Sequence, residues 1–470
     1  MKLSKIHISL SVIISLLLSS CMIEKKYSRA NLNIPEQYRE TVTVTADTIQ
    51  LHWRTFFKDT ILVSLIEKAL LKNNEIVVAV MNMQQLDLMY KQSKLGLYPS
   101  VDLNVGANRN WLSKSSLNGS LTEQFLGTSY MDDYAASLRL SWEADIWGKA
   151  KMYREASLAN YFAQKENLSA LKTRLIVQVA QAYYNLIALD EQLKVAKRNI
   201  ILGDSTLAMI RLQYKSGQVN SLAVEQIEAQ KKTAELLVPL ALQNIAIQEN
   251  ALNILCGEYP SSKVRVDIID NVMPSSIFPL GVPAMLLSRR PDVKAAEYAV
   301  VSANAKRNLA NLAMYPSISF TPSVGMNSFK LDTWFNLPGS IVKNIGVNLA
   351  QPIFMKKSLK TAYDIAILDQ EKAVSTFKQS LLTAVGEVSD ALARAKYADE
   401  RMDLVKQKKA SLTKASNDVF MLYKSGMATY LEVITTQNNS LQNELEVIEI
   451  KKEKFNAITD LYRTLGGGEK

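Results

Sequence analysis

The chain has 470 residues, of which 48% are hydrophobic and 21% charged, with a formal net charge of +10. It is long enough for large cores and ordinary in charge for a globular or helical protein. Lys and Arg are spread beside Glu and Asp along helical segments, with no dense basic block, so the positive balance reads as solvated helix faces and no nucleic-acid partner is expected.

At the start of the chain, Lys2 and Lys5 precede an apolar stretch from Ile6 to Leu18 and then Ser19-Ser20-Cys21. That layout predicts a secretory signal over residues 1–20 with lipidation at Cys21. The alternative, a transmembrane anchor, is disfavoured because the run is shorter than the ~20 residues that cross a bilayer. Without Lys2 and Lys5 the net charge falls to +8, and the first thiol is consumed by lipid. Cys256 then stands alone, so no intrachain disulfide is expected. Residues 21–60 read as a lipidated linker.

From there the chain is a tandem duplication. Leu97-Tyr98-Pro99-Ser100 recurs as Met314-Tyr315-Pro316-Ser317, and Tyr214-Lys215-Ser216-Gly217 recurs as Tyr423-Lys424-Ser425-Gly426. The two markers keep their order at intervals of 217 and 209 residues, too long for a solenoid repeat. The expected units are residues 61–270 and 271–470.

Each unit begins with a helical segment, from Leu62 to Leu95 and from Asp292 to Ala313, that a Tyr-Pro-Ser stops because proline cannot continue it. The periodicity then changes from 3.6 to 2. Val101, Leu103, Val105 and Ala107 alternate with Asp102, Asn104, Gly106 and Asn108, and Leu138, Leu140 and Trp142 with Ser137, Arg139 and Ser141. In the second unit Ile318, Phe320, Pro322, Val324 and Met326 alternate with Ser, Thr, Gly and Asn; the fourth strand, Ile341 to Leu349, has Lys343 breaking its apolar face. Two β-hairpins are expected, over about 100–142 and 317–350.

After each hairpin comes a long helix. Lys149 to about Tyr214 gives roughly 100 Å at ~1.5 Å per residue. Its seam, Ala182, Leu186, Leu189, Leu193, Ala196, Ile200, Gly203, Leu207, Ile210 and Tyr214, steps by four and three as a supercoiled helix does. The second seam, Val388, Ala391, Ala395, Ala398, Met402, Val405, Leu412 and Val419, is interrupted by Lys409 and Ser416. Gly217 and Gly426 end these helices, and a second helix returns, so helical hairpins are expected over about 149–256 and 356–465.

Four strands with one apolar and one small polar face cannot close alone, and open edges are not tolerated in lipid. Two chains would give eight strands, which side chains nearly fill; three give twelve and a lumen. The reading is a mostly α protein with a membrane β-barrel, formed as a homotrimer around a mostly closed, conductive pore. The competing reading is a structural coiled-coil lipoprotein whose alternating segments form a soluble sheet. An enzyme is not expected, because beyond the signal only His52 and Cys256 remain of those residue types, with no metal-ligand spacing, phosphate loop or nucleophile motif. No cofactor or metal is expected.

Further residues carry a resemblance. Trp53, Phe57, Asp59, Leu62, Leu65, Ala69-Leu70 and Asn73-Asn74 open the first helix; Trp142-Glu143-Ala144-Asp145-Ile146-Trp147-Gly148 follows the first hairpin; Arg289-Arg290-Pro291-Asp292-Val293 and Ala295-Ala296-Glu297 open the second unit. With the Tyr-Pro-Ser sites and Tyr-x-x-Gly turns, in this order, the chain resembles the TolC family of outer-membrane efflux proteins, and within it the lipoprotein channels of RND-type drug pumps.

The resemblance implies a trimer with a twelve-strand outer-membrane barrel and a twelve-helix periplasmic tunnel. A periplasmic adaptor (membrane fusion) protein would meet its closed end, and an inner-membrane RND-type pump would supply the energy. Channels of metal-efflux or protein-secretion systems are the alternatives within the same class. Adaptor-binding tips would fall on Tyr214, Lys215, Ser216, Gly217 and Gln218 and on Tyr423, Lys424, Ser425, Gly426 and Met427. Gln218 and Met427 stand where the family often has a small or aliphatic residue. The gate would fall on Glu432, with Thr435 where a second aspartate is common, so one acidic ring per trimer is implied. Such a ring would raise its carboxylate pKa and favour cations. The alternative for Glu432 is a solvated partner of the helix dipole.

Overall fold

The computed structural model describes residues 27–29, 34–39, 52–266 and 283–468. The signal segment 1–20 and the lipidation site Cys21 lie outside the described residues.

In chain order the elements are α1 (Trp53–Phe56), α2 (Thr60–Lys72), α3 (Asn74–Lys94), β1 (Ser100–Trp111), α4 (Leu117–Leu126), β2 (Tyr130–Glu143), α5 (Lys149–Lys215) and α6 (Ser221–Leu255). There follow α7 (Leu286–Arg289), α8 (Pro291–Leu312), β3 (Ser317–Phe320), β4 (Ser323–Ser328), β5 (Ile341–Asn344), β6 (Val347–Ala350), α9 (Ser358–Lys424) and α10 (Tyr430–Thr464). Most of the chain is helical. α5 and α9 have 67 residues each, α6 and α10 35 each.

The described residues divide into two units, one within Met1–Ala30, Gln85–Tyr161 and Tyr298–Ser375, the other within Asn31–Gln84, Phe162–Glu297 and Thr376–Lys470. The first holds the sheet. β1 pairs antiparallel with β2 from Ser100↔Ser141 to Trp111↔Tyr130. On the other side of β2 lie β4 and then β3, which pair in turn with β5 and β6. Six segments thus make four lanes. Proline has no N–H for the ladder, and the third lane breaks at Thr321-Pro322; the fourth breaks opposite, at Ile345-Gly346. The Thr321 N–H still donates to Gly346 O at 2.8 Å, and Leu140 N–H to Pro322 O at 2.9 Å. At Gly325 a Cβ would stand 2.3 Å from Ala136 O, so only glycine permits that approach to β2. Among the described residues, β1 on one side and β5 with β6 on the other have no further strand beside them.

The junctions explain the residues that mark the chain. Asp145 accepts from Ala150 N–H at 3.0 Å and Lys151 N–H at 3.3 Å, capping α5. Trp142 Nε1 donates to Leu97 O at 2.9 Å and Trp147 Nε1 to Pro316 O at 2.7 Å, tying each Tyr-Pro-Ser turn to the strand-to-helix junction.

The second unit has the main core. Trp53, Phe56, Phe57, Leu62, Ile66, Tyr183, Tyr184, Leu252, Phe455 and Tyr462 are buried in one cluster, with Phe56 and Tyr462 stacked at 4.5 Å. Burying each such side chain stabilises by roughly 1.5–3 kcal/mol. Asp59 caps α2 by accepting from Ile61 N–H at 2.8 Å and also accepts the Tyr183 hydroxyl at 2.6 Å. The single helix expected from Leu62 to Leu95 is divided at Asn73. Its Oδ1 accepts Glu75 N–H at 2.9 Å to start α3, and its Nδ2 donates to Leu255 O at 3.0 Å. Arg290, buried, pairs with Asp292 at 2.5 Å and Glu387 at 2.8 Å, and Glu387 also meets Arg463 at 3.2 Å. That chain of charges joins the start of α8 to α9 and α10. Cys256 is a buried free thiol whose Sγ lies 3.7 Å from Leu65 O; burial pushes its pKa up and makes it a packed, unreactive group.

Candidate functional site

At the end of α5, Gln218 N–H donates to Gln213 O at 2.9 Å and Gly217 N–H to Tyr214 O at 3.0 Å. At the end of α9, Met427 N–H donates to Leu422 O at 2.8 Å and Gly426 N–H to Tyr423 O at 3.1 Å. Both are Schellman turns, and the glycines stand at φ +71° and +74°, the left-handed conformation this cap requires. Asn220 restarts the chain as the cap of α6, its Oδ1 accepting Ala223 N–H at 3.2 Å.

The two turns are not copies of each other. Lys215, Ser216, Gly217 and Gln218 are exposed, as are Lys424, Ser425, Gly426 and Met427. Tyr214 is 49% exposed, but Tyr423 only 7%. Tyr423 lies in an apolar cluster with Leu207, Ile210, Ala223, Ile227 and Val433, and its hydroxyl donates to Gln213 Oε1. Burial raises its pKa, so it remains a neutral donor. The structure therefore turns one of the ten tip residues inward and makes it the tie between the two tips. Gln437 Nε2 to Thr206 Oγ1 at 2.9 Å adds a second tie. Sequence reasoning marked Tyr423 as surface and passed over Gln213, because a polar residue on a helix carries no local sign of its partner 210 positions away.

Glu432 is exposed and sits three residues into the return. Its Oε2 accepts Thr429 N–H at 2.6 Å and the Thr429 hydroxyl at 3.0 Å, which makes it the acidic half of a capping box at the start of α10. These bonds hold its carboxylate below the ordinary range, opposite to the rise that a ring of like charges would cause. The Thr429-x-x-Glu432 spacing is a legible capping signature. Thr435 is exposed, and its hydroxyl donates to Leu431 O at 2.8 Å. Among the described residues no group of His, Cys, Asp or Glu could hold a metal ion, and no helix is long and apolar enough to cross a membrane.

Comparison with known proteins gives this arrangement a context. Residues 65–258 and 282–467 match the pattern of the outer membrane efflux protein family. The cation efflux system protein CusC of Escherichia coli K12 is 28% identical over 459 residues, covering 97% of this chain and 98% of CusC. The solvent efflux pump outer membrane protein SrpC of Pseudomonas putida is 30% identical over 424 residues, 88% of this chain and 87% of SrpC. Among solved structures, the open state of the Neisseria gonorrhoeae MtrE outer membrane channel superposes with a TM-score of 0.84 at 25% identity, over 96% of this chain and 99% of that one. Since the family pattern spans both halves and these channels match it nearly end to end, the chain belongs to the outer membrane efflux protein family.

Proposed function

We propose that three copies of this outer-membrane efflux channel close one twelve-strand barrel and one twelve-helix tunnel, and that the duct conducts substrate passively from an inner-membrane RND-type pump through a periplasmic adaptor. The unpaired edges carry this reading. β1 and the β5–β6 lane lack neighbours, and edge pairing between copies satisfies both where an open sheet in lipid cannot.

Height supports it too. The 12 residues of β1 extend about 40 Å at ~3.3 Å per residue, or about 30 Å at the usual ~40° tilt, which is the bilayer core. Trp111 pairs with Tyr130 at one end of the sheet and Trp142 with Phe320 at the other, as aromatic girdles do. A lipid on Cys21 supplies a further anchor. The names of CusC and SrpC span cations and solvents, so cargo is set by the partner pump and the channel transforms nothing.

The exposed tip residues are the adaptor contacts, and three Glu432 carboxylates form the acidic constriction while capping α10. Single-channel recording tests the gate. Glu432→Ala is expected to raise conductance and reduce cation preference, whereas Glu444→Ala and Glu446→Ala, which break only the pairs with Arg198 and Lys408, change neither. Wild-type conductance and selectivity in Glu432→Ala would place the constriction elsewhere. Mass measurement in mild detergent should give three chains; a stable monomer or dimer removes the architecture.

A further inference from the structure

One row of the sheet sets opposite charges side by side. Asp102 on β1 lies opposite Arg139 on β2, Arg139 opposite Ser323 on β4, and Ser323 opposite Asn344 on β5. Successive strand residues point to opposite faces, so this row shares its face with Asn104, Ser137, Gly325 and Val342, while Leu103, Leu138 and Val324 between them point the other way. The small polar face is the lumen of the proposed barrel.

Two cross-strand pairs of opposite charge tell the faces apart. On the apolar face Arg109 lies opposite Asp132 and closes on it with two hydrogen bonds, at 2.6 and 2.8 Å. On the polar face Asp102 and Arg139 are equally in register, yet neither forms an ion pair among the described residues. A charge against hydrocarbon must be paired, whereas in water an exposed pair gains little by closing. The closed pair therefore belongs to the lipid side and the open pair to water.

Closing the barrel supplies no partner from the next copy. The lane then beside β1 is β5–β6, whose positions on the lumen face are Val342, Asn344, Asn348 and Ala350, all uncharged; its cation, Lys343, is on the apolar face. The other lumen-facing strand charges, Asp133 and Glu143, are acidic, and they are held by Asn327 at 2.6 Å and Lys149 at 3.1 Å. Among the described strand residues of that face, Arg139 is thus the one basic side chain.

We propose that Asp102 and Arg139 of three copies form a ring of six alternating charges on the lumen wall, a charge-balanced filter that lets the barrel pass ions of either sign and leaves ion preference to the tips; this rests on the barrel reading. Twelve strands ~4.8 Å apart at ~40° tilt give a wall about 12 Å in radius, which puts the charges about 10 Å from the axis. There the two sets cancel. Removing one set leaves three like charges, which at ~0.1 M salt raise one ion's occupancy about twofold and lower the other's as much, shifting the permeability ratio about fourfold. At ~0.01 M, with a Debye length of ~30 Å, the shift grows to about twentyfold.

The test records reversal potentials of the full trimer in planar bilayers under a potassium chloride gradient at both salt levels, in Glu432→Ala channels so that no tip carboxylate masks the barrel. Arg139→Gln should move the preference toward potassium and Asp102→Asn toward chloride, each more strongly at low salt. The double variant should return to the parent value, and Arg139→Lys and Asp102→Glu should keep it. Independently, Asp102→Cys and Arg139→Cys should react with a membrane-impermeant charged thiosulfonate in the otherwise wild-type channel, and Leu103→Cys and Leu138→Cys should not, Cys256 being buried. Unchanged preference in both single variants, shifts of the same sign, or reaction at Leu103→Cys in place of Asp102→Cys overturns the ring. A wild-type protein that carries no current in any bilayer would overturn the barrel reading instead.

Discussion

Removing the Tyr423 hydroxyl should open the channel without loosening its fold. Tyr423→Phe keeps the ring among Leu207, Ile210, Ala223, Ile227 and Val433 and deletes only the bond to Gln213. A neutral hydrogen bond contributes ~1 kcal/mol net. In the proposed trimer, opening in one concerted step, three such ties sum to ~3 kcal/mol, and at 1.36 kcal/mol per tenfold the open-to-closed ratio rises about 150-fold. Open probability in planar bilayers is the measurement. Tyr214→Phe is the control, since its half-exposed ring occupies the equivalent turn without that tie. A Tyr423→Phe channel gating like wild type, or a Tyr214→Phe channel opening as readily, would refute the idea that the tie between the tips holds the channel closed. Gln213→Leu should add nothing to Tyr423→Phe, because both remove one interaction.

Acid should loosen the loop after α6 through Glu258, whose carboxylate is held down at about 2 by its bonds to Lys263 and Lys68. A depressed carboxylate stabilises above its unfolded pKa and loses that stabilisation as pH falls toward 2; amide exchange at residues 256–266 should quicken over that window, and Glu258→Gln should flatten the dependence. Arg290→Met should cost about 3–5 kcal/mol, as breaking a buried pair does, and lower the midpoint of thermal unfolding; a change within error would mean that Arg463 alone satisfies Glu387. Cys21→Ala should leave a trimer that takes up no labelled fatty acid and is poorly retained, and an unlabelled wild type would end the lipid-anchor reading.

The long elements were legible because their signals are local and repeated. Alternation located β1 and β2, and proline and glycine located the turns. Pro322 was counted as one more apolar position of a continuous strand, yet its missing N–H divides that lane into β3 and β4. Asn73 was a family marker before it was a cap, and its bond to Leu255 O reaches across 182 residues, beyond any window of periodicity. α4 was not foreseen inside the first hairpin, although Ser116 caps it by accepting Gly119 N–H at 3.1 Å and Gly127 closes it at φ +66°. The heptad seam placed Leu186, Ala196, Leu207 and Ile210 in the interior but also Tyr214, which is half exposed. At the tips, identical Tyr-Lys-Ser-Gly sequences predicted identical roles. Only packing distinguishes them: which tyrosine is inside depends on Gln213 and Val433, not on its own neighbours in sequence.

That difference bears on stoichiometry. The proposed trimer would present six tips, but of two kinds, three with a half-exposed tyrosine beside Gln218 and three with an inward tyrosine beside Met427, which is 77% exposed. A partner offering identical binding elements therefore meets alternating polar and apolar seats around the ring. Occupation should be graded, with three elements engaging one class before three engage the other, and a titration of the purified channel with such a partner should resolve two steps of equal amplitude.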